Sequence, residues 1–363
     1  MPLIFISKIW TNRMKYILWI LFFVIGFSPM ATSQEENLLI PNGDLQIGGT
    51  FLGAESASNP LVIFLSGSGA QDRDETILGF KPFKIIADHL AENGISSFRF
   101  DDRQVGESTG NLAEATIDDM TEDVQVIMDY FEENEAHTFN EFIVLGHSQG
   151  GMVAASTAEK DDRVKGVVFW ATPTVPLKDV ITDQIKTIQL ALGKTESDLE
   201  ATLEFQEKAY EAVRTDTGWD SLRADFKQLI ETELAKLPEA QRGYITDVDA
   251  FANAQFDAQV RPINSPHMRS FLFYDTMRAM AKTNVPSLAL FGEKDIQVSV
   301  DLNGTAYQFS CEENALNCTY KTFADANHLF QKAITGMPDE YGALPPEFVP
   351  GFLEEISGWI EGF

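Results

Sequence analysis

Phe142-Ile143-Val144-Leu145-Gly146-His147-Ser148-Gln149-Gly150-Gly151-Met152-Val153-Ala154-Ala155-Ser156 is the stretch that decides how this chain folds. Four apolar residues with no polar alternate suit a strand buried on both faces. Gly-x-Ser-x-Gly follows at once, and the small and apolar residues after it suit a helix. Strand, Gly-x-Ser-x-Gly and helix in that order form the setting of a nucleophile elbow, a turn sharp enough to expose a serine hydroxyl. The glycines allow the turn and keep side chains out of it. Free N–H groups at the helix start can hold developing negative charge. The plainer reading of Ser148 is a helix cap, whose own oxygen satisfies those N–H groups.

Around this stretch the same rhythm repeats. Residues 38–53 mix Gly, Asn and alternating apolar residues, which predicts an opening β-hairpin. Residues 60–65 are a second continuous apolar run, and 95–100 and 164–170 predict further strands. Between them, Phe83, Ile86, Ala87 and Leu90, and then Met120, Val124, Ile127, Met128 and Phe131, recur at helical spacing. Strands alternating with helices predict an α/β fold with a mostly parallel central sheet flanked by helices. The rhythm stops at 177–282, where no buried strand is evident. Ile181, Ile185, Ile188 and Leu192 form a helical stripe there. Ser197 with Glu200 is expected to make a capping box, and Trp219, Leu222, Phe226 and Leu229 or Ile230 mark another helical face. Strands resume at 285–291 and 319–323, and 352–360 predicts a closing helix. The segment 177–282 is therefore expected to be a helical lid inserted into the sheet domain.

Charge narrows the function. Fifty-five acidic residues against 27 basic ones give −28, which excludes the basic surface that nucleic acid requires. Lys8, Arg13 and Lys15 precede an apolar core at 16–27, and Ala31-Thr32-Ser33 follows with the small residues of a cleavage site. Residues 1–33 are thus expected to be a secretory signal cut after Ser33, which exports the chain to periplasm or medium. The core is short for a membrane span; a retained anchor is the alternative. The mature chain would keep 24 basic and 55 acidic residues. The two cysteines, Cys311 and Cys318, are expected to form a disulfide in an exported protein. Neither has the spacing of a metal ligand, so no metal site and no cofactor are expected.

A serine hydroxyl needs a base to take its proton, and the base needs a carboxylate to orient it. Five histidines leave few choices. His89 lies on a helix face expected to be solvated, and His137 in a polar turn. His147 adjoins the serine but points elsewhere on an elbow, as a packing residue. His267 ends the insertion and could approach the pocket. His328 follows the last strand, at the carboxyl edge of a parallel sheet, where open α/β sheets build their sites. Asp295 follows the strand at 285–291 and stands between Ser148 and His328 in chain order. Glu293, Asp301 and Asp325 are its rivals. Ser148, Asp295 and His328 are the expected catalytic triad. The expected oxyanion donors are the backbone N–H groups of Gln149 and Ser68, with Gly67 as the alternative to Ser68.

Further motifs are Ser66-Gly67-Ser68-Gly69 with Asp72-Arg73-Asp74, Phe100-Asp101-Asp102-Arg103 with Gly106-Glu107-Ser108-Thr109-Gly110, Gly292-Glu293-Lys294-Asp295, and Asn327-His328-Leu329-Phe330-Gln331. With the elbow they make residues 45–363 resemble the α/β-hydrolase superfamily, in the esterase-like branch near serine aminopeptidases and dienelactone hydrolases. The α/β-hydrolase core is expected at 34–176 and 283–363, and the resemblance supports the roles of Ser148, Asp295 and His328. Members commonly read Asp-Arg-Gly where this chain has Asp102-Arg103-Gln104. Arg73 or Arg103 could bind a substrate carboxylate. The favoured reading of Asp72, Arg73, Asp101, Asp102 and Arg103 is a buried ion-pair network tying two loops beneath the pocket. The expectation is an exported serine hydrolase acting on small-molecule carboxylic esters, with no nucleic-acid or membrane partner after processing. The alternatives are a peptidase removing N-terminal amino acids or short peptides, and a catalytically silent binding protein on the same fold.

Overall fold

A strand with no polar alternate must bury both faces, so helices have to cover the sheet on each side. The computed structural model describes residues 34–54, 60–242 and 244–363. Among them are eight strands: β1 (Gln34–Asn42), β2 (Leu45–Gly53), β3 (Leu61–Leu65), β4 (Ser97–Phe100), β5 (Phe142–His147), β6 (Val164–Trp170), β7 (Ser287–Gly292) and β8 (Cys318–Phe323). They form one sheet in the order β1-β2-β4-β3-β5-β6-β7-β8. β3 to β8 run parallel, and the hairpin β1–β2 adds antiparallel to β4 at one edge. Gly43 makes that hairpin possible, taking φ 59° in the two-residue turn Gly43-Asp44.

Successive side chains of the central strands go to opposite faces. Phe142 and Val144 of β5, with Val167 and Phe169 of β6, pack on the side of α2 (Ile117–Glu133) and α3 (Gln149–Lys160). Ile143, Leu145, Val168 and Trp170 pack on the opposite side, with Phe83, Ile86 and Leu90 of α1 (Pro82–Glu92) and Phe352 and Ile356 of the closing helix Phe352–Ile360. His89 was expected to be solvated; it is half-buried, and its Nε2 meets Ser357 Oγ at 3.0 Å, tying α1 to the closing helix.

Between β6 and β7 the described residues hold helices and no strand: α4 (Leu177–Ala191), α5 (Glu196–Thr215), α6 (Trp219–Lys236), α7 (Glu239–Arg242), α8 (Val248–Gln255), α9 (Pro266–Leu272) and α10 (Thr276–Met280). They bury little. Only Leu222 of α6 is buried, in a small cluster with Ala209, Ala212, Phe256 and Val260. Leu192, expected on the helical stripe, is 64% exposed and stands one residue past the end of α4. The capping box of α5 is Thr195 with Asp198, not Ser197 with Glu200. Thr195 Oγ1 accepts the Asp198 N–H, and the Asp198 carboxylate accepts the Thr195 N–H at 2.8 Å. The helix starts two residues earlier than expected, and Ser197 is already inside its first turn.

α11 (Thr305–Glu313) is joined to the start of β8 by the Cys311–Cys318 disulfide. The expected signal at 1–33 and its cut after Ser33 lie outside the described residues. Among the described residues no helix is long and apolar enough to cross a membrane.

Candidate active site

Parallel strands end at a common edge, so the loops after β3, β5, β7 and β8 meet there. Leu65, His147, Gly292 and Phe323 are the last residues of those strands. β5 passes into α3 through Ser148 alone, whose φ of 51° and ψ of −121° are costly for a residue with a side chain. The turn closes because its neighbours are small: a Cβ on Gly146 would strike the backbone of Gly150, and one on Gly150 would strike the carbonyls of Leu65 and Ser66. The Ser148 N–H is held by Trp170 O at 2.8 Å. Its hydroxyl makes no capping hydrogen bond. The helix-cap reading thus fails, and among the described residues the oxygen has no hydrogen-bond partner at this helix N-terminus.

Asp295 and His328 come together. His328 Nδ1 lies 2.7 Å from Asp295 Oδ2, and both side chains are buried. The other carboxylate oxygen accepts the N–H groups of Gln297 at 2.8 Å and Val298 at 2.9 Å. Asp295 is therefore satisfied as an anion, which places the imidazole proton on Nδ1 and leaves Nε2 as the basic atom. His328 is presented by a tight loop. Asn327 Oδ1 accepts the N–H groups of Leu329 and Gln331, each at 3.0 Å. Among the described residues no hydrogen bond joins Ser148 to His328; such contacts tighten when substrate arrives. The rivals have other partners: Asp325 pairs with Lys294 at 2.8 Å, and Glu293 takes the Thr322 hydroxyl at 3.3 Å. Asp301 is exposed.

The loop after β3 lies against the serine, so that a Cβ on Gly67 would come within 3.4 Å of Ser148 Cβ. Asp102 holds this loop from below, accepting Ser66 Oγ at 2.5 Å and the Gln71 N–H at 2.8 Å. Burial pushes the Asp102 carboxyl up to about 7, against the lowering effect of those two bonds. The Gly67 N–H is already donated to Glu75 Oε1 at 2.7 Å, so it is not free for an oxyanion. Ser68 and Gln149 both line an open cleft of about 440 Å³, with Arg103, Leu112, His267 and Met268. His267 does reach the elbow, but as cleft wall. Its Nδ1 donates to Ala115 O at 2.8 Å and its Nε2 meets Gln149 Nε2 at 3.2 Å. Burial lowers its pKa and keeps it neutral.

The charged motifs divide. Arg73 bridges Asp101 at 2.6 Å and Glu107 at 2.8 Å, as the ion-pair reading expects. Arg103 leaves that network and pairs with Asp123 of α2 at 2.7 Å. Gln104, standing where relatives commonly carry glycine, has φ 72° and so keeps the left-handed backbone. Sequence reasoning missed Glu75. It is completely buried, with φ 52°, and meets His147 Nδ1 at 2.8 Å. Nothing local marks it, since it follows three charged residues that pair elsewhere or cap a turn.

A family model described as alpha/beta hydrolase fold matches residues 60–332. The esterase EstD of Thermotoga maritima is 37% identical over 153 residues, which are 41% of this chain and 35% of that protein. The chain thus matches about a third of that relative's length. Among solved structures, an esterase of Pyrococcus furiosus has TM-score 0.51 and 15% identity, over 91% of each chain. A proline iminopeptidase of Mycobacterium smegmatis has TM-score 0.52 and 14% identity, over 90% of this chain and 98% of its own. Such low identities speak for fold alone, and an esterase and a peptidase share it equally.

Proposed function

This chain belongs to the α/β-hydrolase family, and on that footing we propose that it is an exported serine hydrolase cleaving carboxylic esters. The observation that carries the reading is the buried contact of His328 Nδ1 with Asp295 Oδ2 at 2.7 Å, at the same sheet edge as an uncapped elbow serine. Ser148 Oγ attacks the acyl carbonyl as His328 Nε2 takes its proton. The N–H groups of Gln149 and Ser68 hold the oxyanion. His328 returns the proton to the departing alkoxide, leaving an acyl-serine. Water then attacks that ester, again giving its proton to His328, and Ser148 recovers the proton as the acid leaves. Asp295 stays ionised throughout, fixing the tautomer and stabilising the imidazolium.

The cleft favours esters over peptides with a free amino terminus. An ammonium group needs a carboxylate partner, and the described residues lining the cleft beside Ser68 and Gln149 include none. Residues 177–282 act as the lid, and α9, at their end, supplies His267 and Met268 to the cleft. Export is supported by the segment 1–33 and by the Cys311–Cys318 bond, which an oxidising compartment preserves. The test is turnover of p-nitrophenyl esters from acetate to decanoate, with Ser148→Ala alongside. Turnover lost in the variant, together with loss of fluorophosphonate labelling, is the expected result. A folded wild type that neither turns over any ester nor takes the label would refute the reading and revive the binding protein.

A further inference from the structure

Glu75 has no use in the mechanism above, yet it is costly. It is a carboxyl group with no solvent exposure, left-handed backbone and, among the described residues, no arginine or lysine partner. Its Oε2 is buried without a hydrogen-bond partner among the described residues. Such a group at such a backbone persists only where the surrounding structure holds it and offsets its cost.

What depends on it is visible in three contacts. Glu75 Oε1 accepts the Gly67 N–H at 2.7 Å. The same oxygen lies 2.8 Å from His147 Nδ1. The opposite ring nitrogen, His147 Nε2, lies 3.1 Å from the backbone oxygen of His328. The His147 ring is also packed against two tilted rings, with its centroid 4.0 Å from that of Trp170 and 4.8 Å from that of His328. His147 itself is 2% exposed.

The protons in this chain can be counted. A carbonyl oxygen only accepts, so His147 Nε2 carries a hydrogen toward His328. The Nδ1–Oε1 contact requires one more proton, on the nitrogen or on the oxygen. Carboxylate with imidazolium, and carboxylic acid with neutral imidazole, carry the same zero net charge. In either state every link from Gly67 through Glu75 and His147 to His328 is made.

We propose that Glu75 and His147 are a pair of positioning residues that lock the oxyanion loop to the loop carrying the catalytic base. The pair rests on the serine-hydrolase reading of Ser148 and His328. It touches neither substrate nor reacting atoms. It sets the spacing between the Ser68 N–H and the His328 ring on the two sides of Ser148, which matters most when the oxyanion and imidazolium form together.

Glu75→Gln tests this because no arrangement of an amide preserves the chain. With its oxygen toward Gly67, His147 needs two N–H groups, which a buried ring without a counter-charge does not hold. With its NH2 toward His147, a donor faces the Gly67 N–H. One link is lost either way, at nearly unchanged volume. The wild type, Glu75→Gln, His147→Gln and the double variant are compared on p-nitrophenyl butyrate, with thermal unfolding to establish that each is folded. The expected result is a fall in kcat of about 10²-fold with KM little changed, and a double variant no worse than the poorer single one. A folded Glu75→Gln or His147→Gln with wild-type kcat overturns the proposal. So do losses that fall in KM or that add fully in the double variant. If Glu75→Gln does not fold, His147→Gln alone decides, by the same kcat and KM criterion. An inactive wild type that also resists fluorophosphonate removes the hydrolase reading and this role together, whereas an active wild type with indifferent variants removes this role alone.

Discussion

Two buried carboxylate–imidazole pairs stand at one edge of the sheet, and they are finished differently. Asp295 gives one oxygen to the N–H groups of Gln297 and Val298 and the other to His328 Nδ1. Its charge is met on all sides, and His328 Nε2 makes no hydrogen bond among the described residues. Glu75 loads a single oxygen with Gly67 and His147 and leaves the other without a partner among the described residues. Both nitrogens of its imidazole are engaged. The role of such a pair is therefore read from the second nitrogen. A ring with Nε2 free can pass a proton to and from substrate, and a ring tied at both ends can only hold two loops together.

Asp295→Asn should have the larger effect of the two. The amide favours the wrong tautomer of His328, and kcat should fall by about 10⁴-fold with the melting temperature nearly unchanged. Stopped-flow or steady-state ester turnover reads it directly. If Glu75→Gln were as damaging as Asp295→Asn, the division between a proton-transferring pair and a positioning pair would break.

Asp102 sharpens the comparison, because it holds the same oxyanion loop without an imidazole. Its carboxyl is raised from 3.8 to about 7, first of all by burial. The folded state therefore binds this proton more tightly than the unfolded chain. The stability so gained is fully present below about pH 3.8 and is lost as pH rises through about 7. Between pH 5 and 8 the melting temperature of the wild type should fall relative to that of Asp102→Asn. Parallel pH curves for the two proteins would show that Asp102 does not carry this proton.

The disulfide supplies the control. Cys318 begins β8, whereas the site follows the end of that strand, so the bond is at the opposite edge of the sheet. It closes a short loop, and Cys311→Ser with Cys318→Ser should cost about 2 kcal/mol in denaturant unfolding. Ester kcat should not change. A matching fall in kcat would mean that turnover follows global stability, and would weaken any positioning argument drawn from Glu75→Gln.

The strands and the elbow were legible because each is written locally. Continuous apolar runs announce buried strands at β3, β5, β6 and β7, and helical spacing announces α1, α2 and the closing helix. Asp295 and His328 were legible by position, each following a strand of a parallel sheet. The insertion was less so. Its helices α4 and α6 bury one residue each, and a stripe of Ile and Leu does not say which of them face a partner; Leu192 faces water. The capping box slid by two residues because Thr195–Asp198 and Ser197–Glu200 have the same spacing, and only the entering backbone distinguishes them.

What the amino-acid order determined by itself is the sheet, the turn at Ser148 and the succession Ser148, Asp295, His328, since period, glycine placement and chain order act over short range. The tertiary structure alone decided what His147 and Glu75 do. They are 72 residues apart, and their partner His328 lies 181 residues beyond His147. A hydrogen bond between buried side chains depends on which loops the folded sheet brings within 3 Å, and no pattern along the chain records that distance.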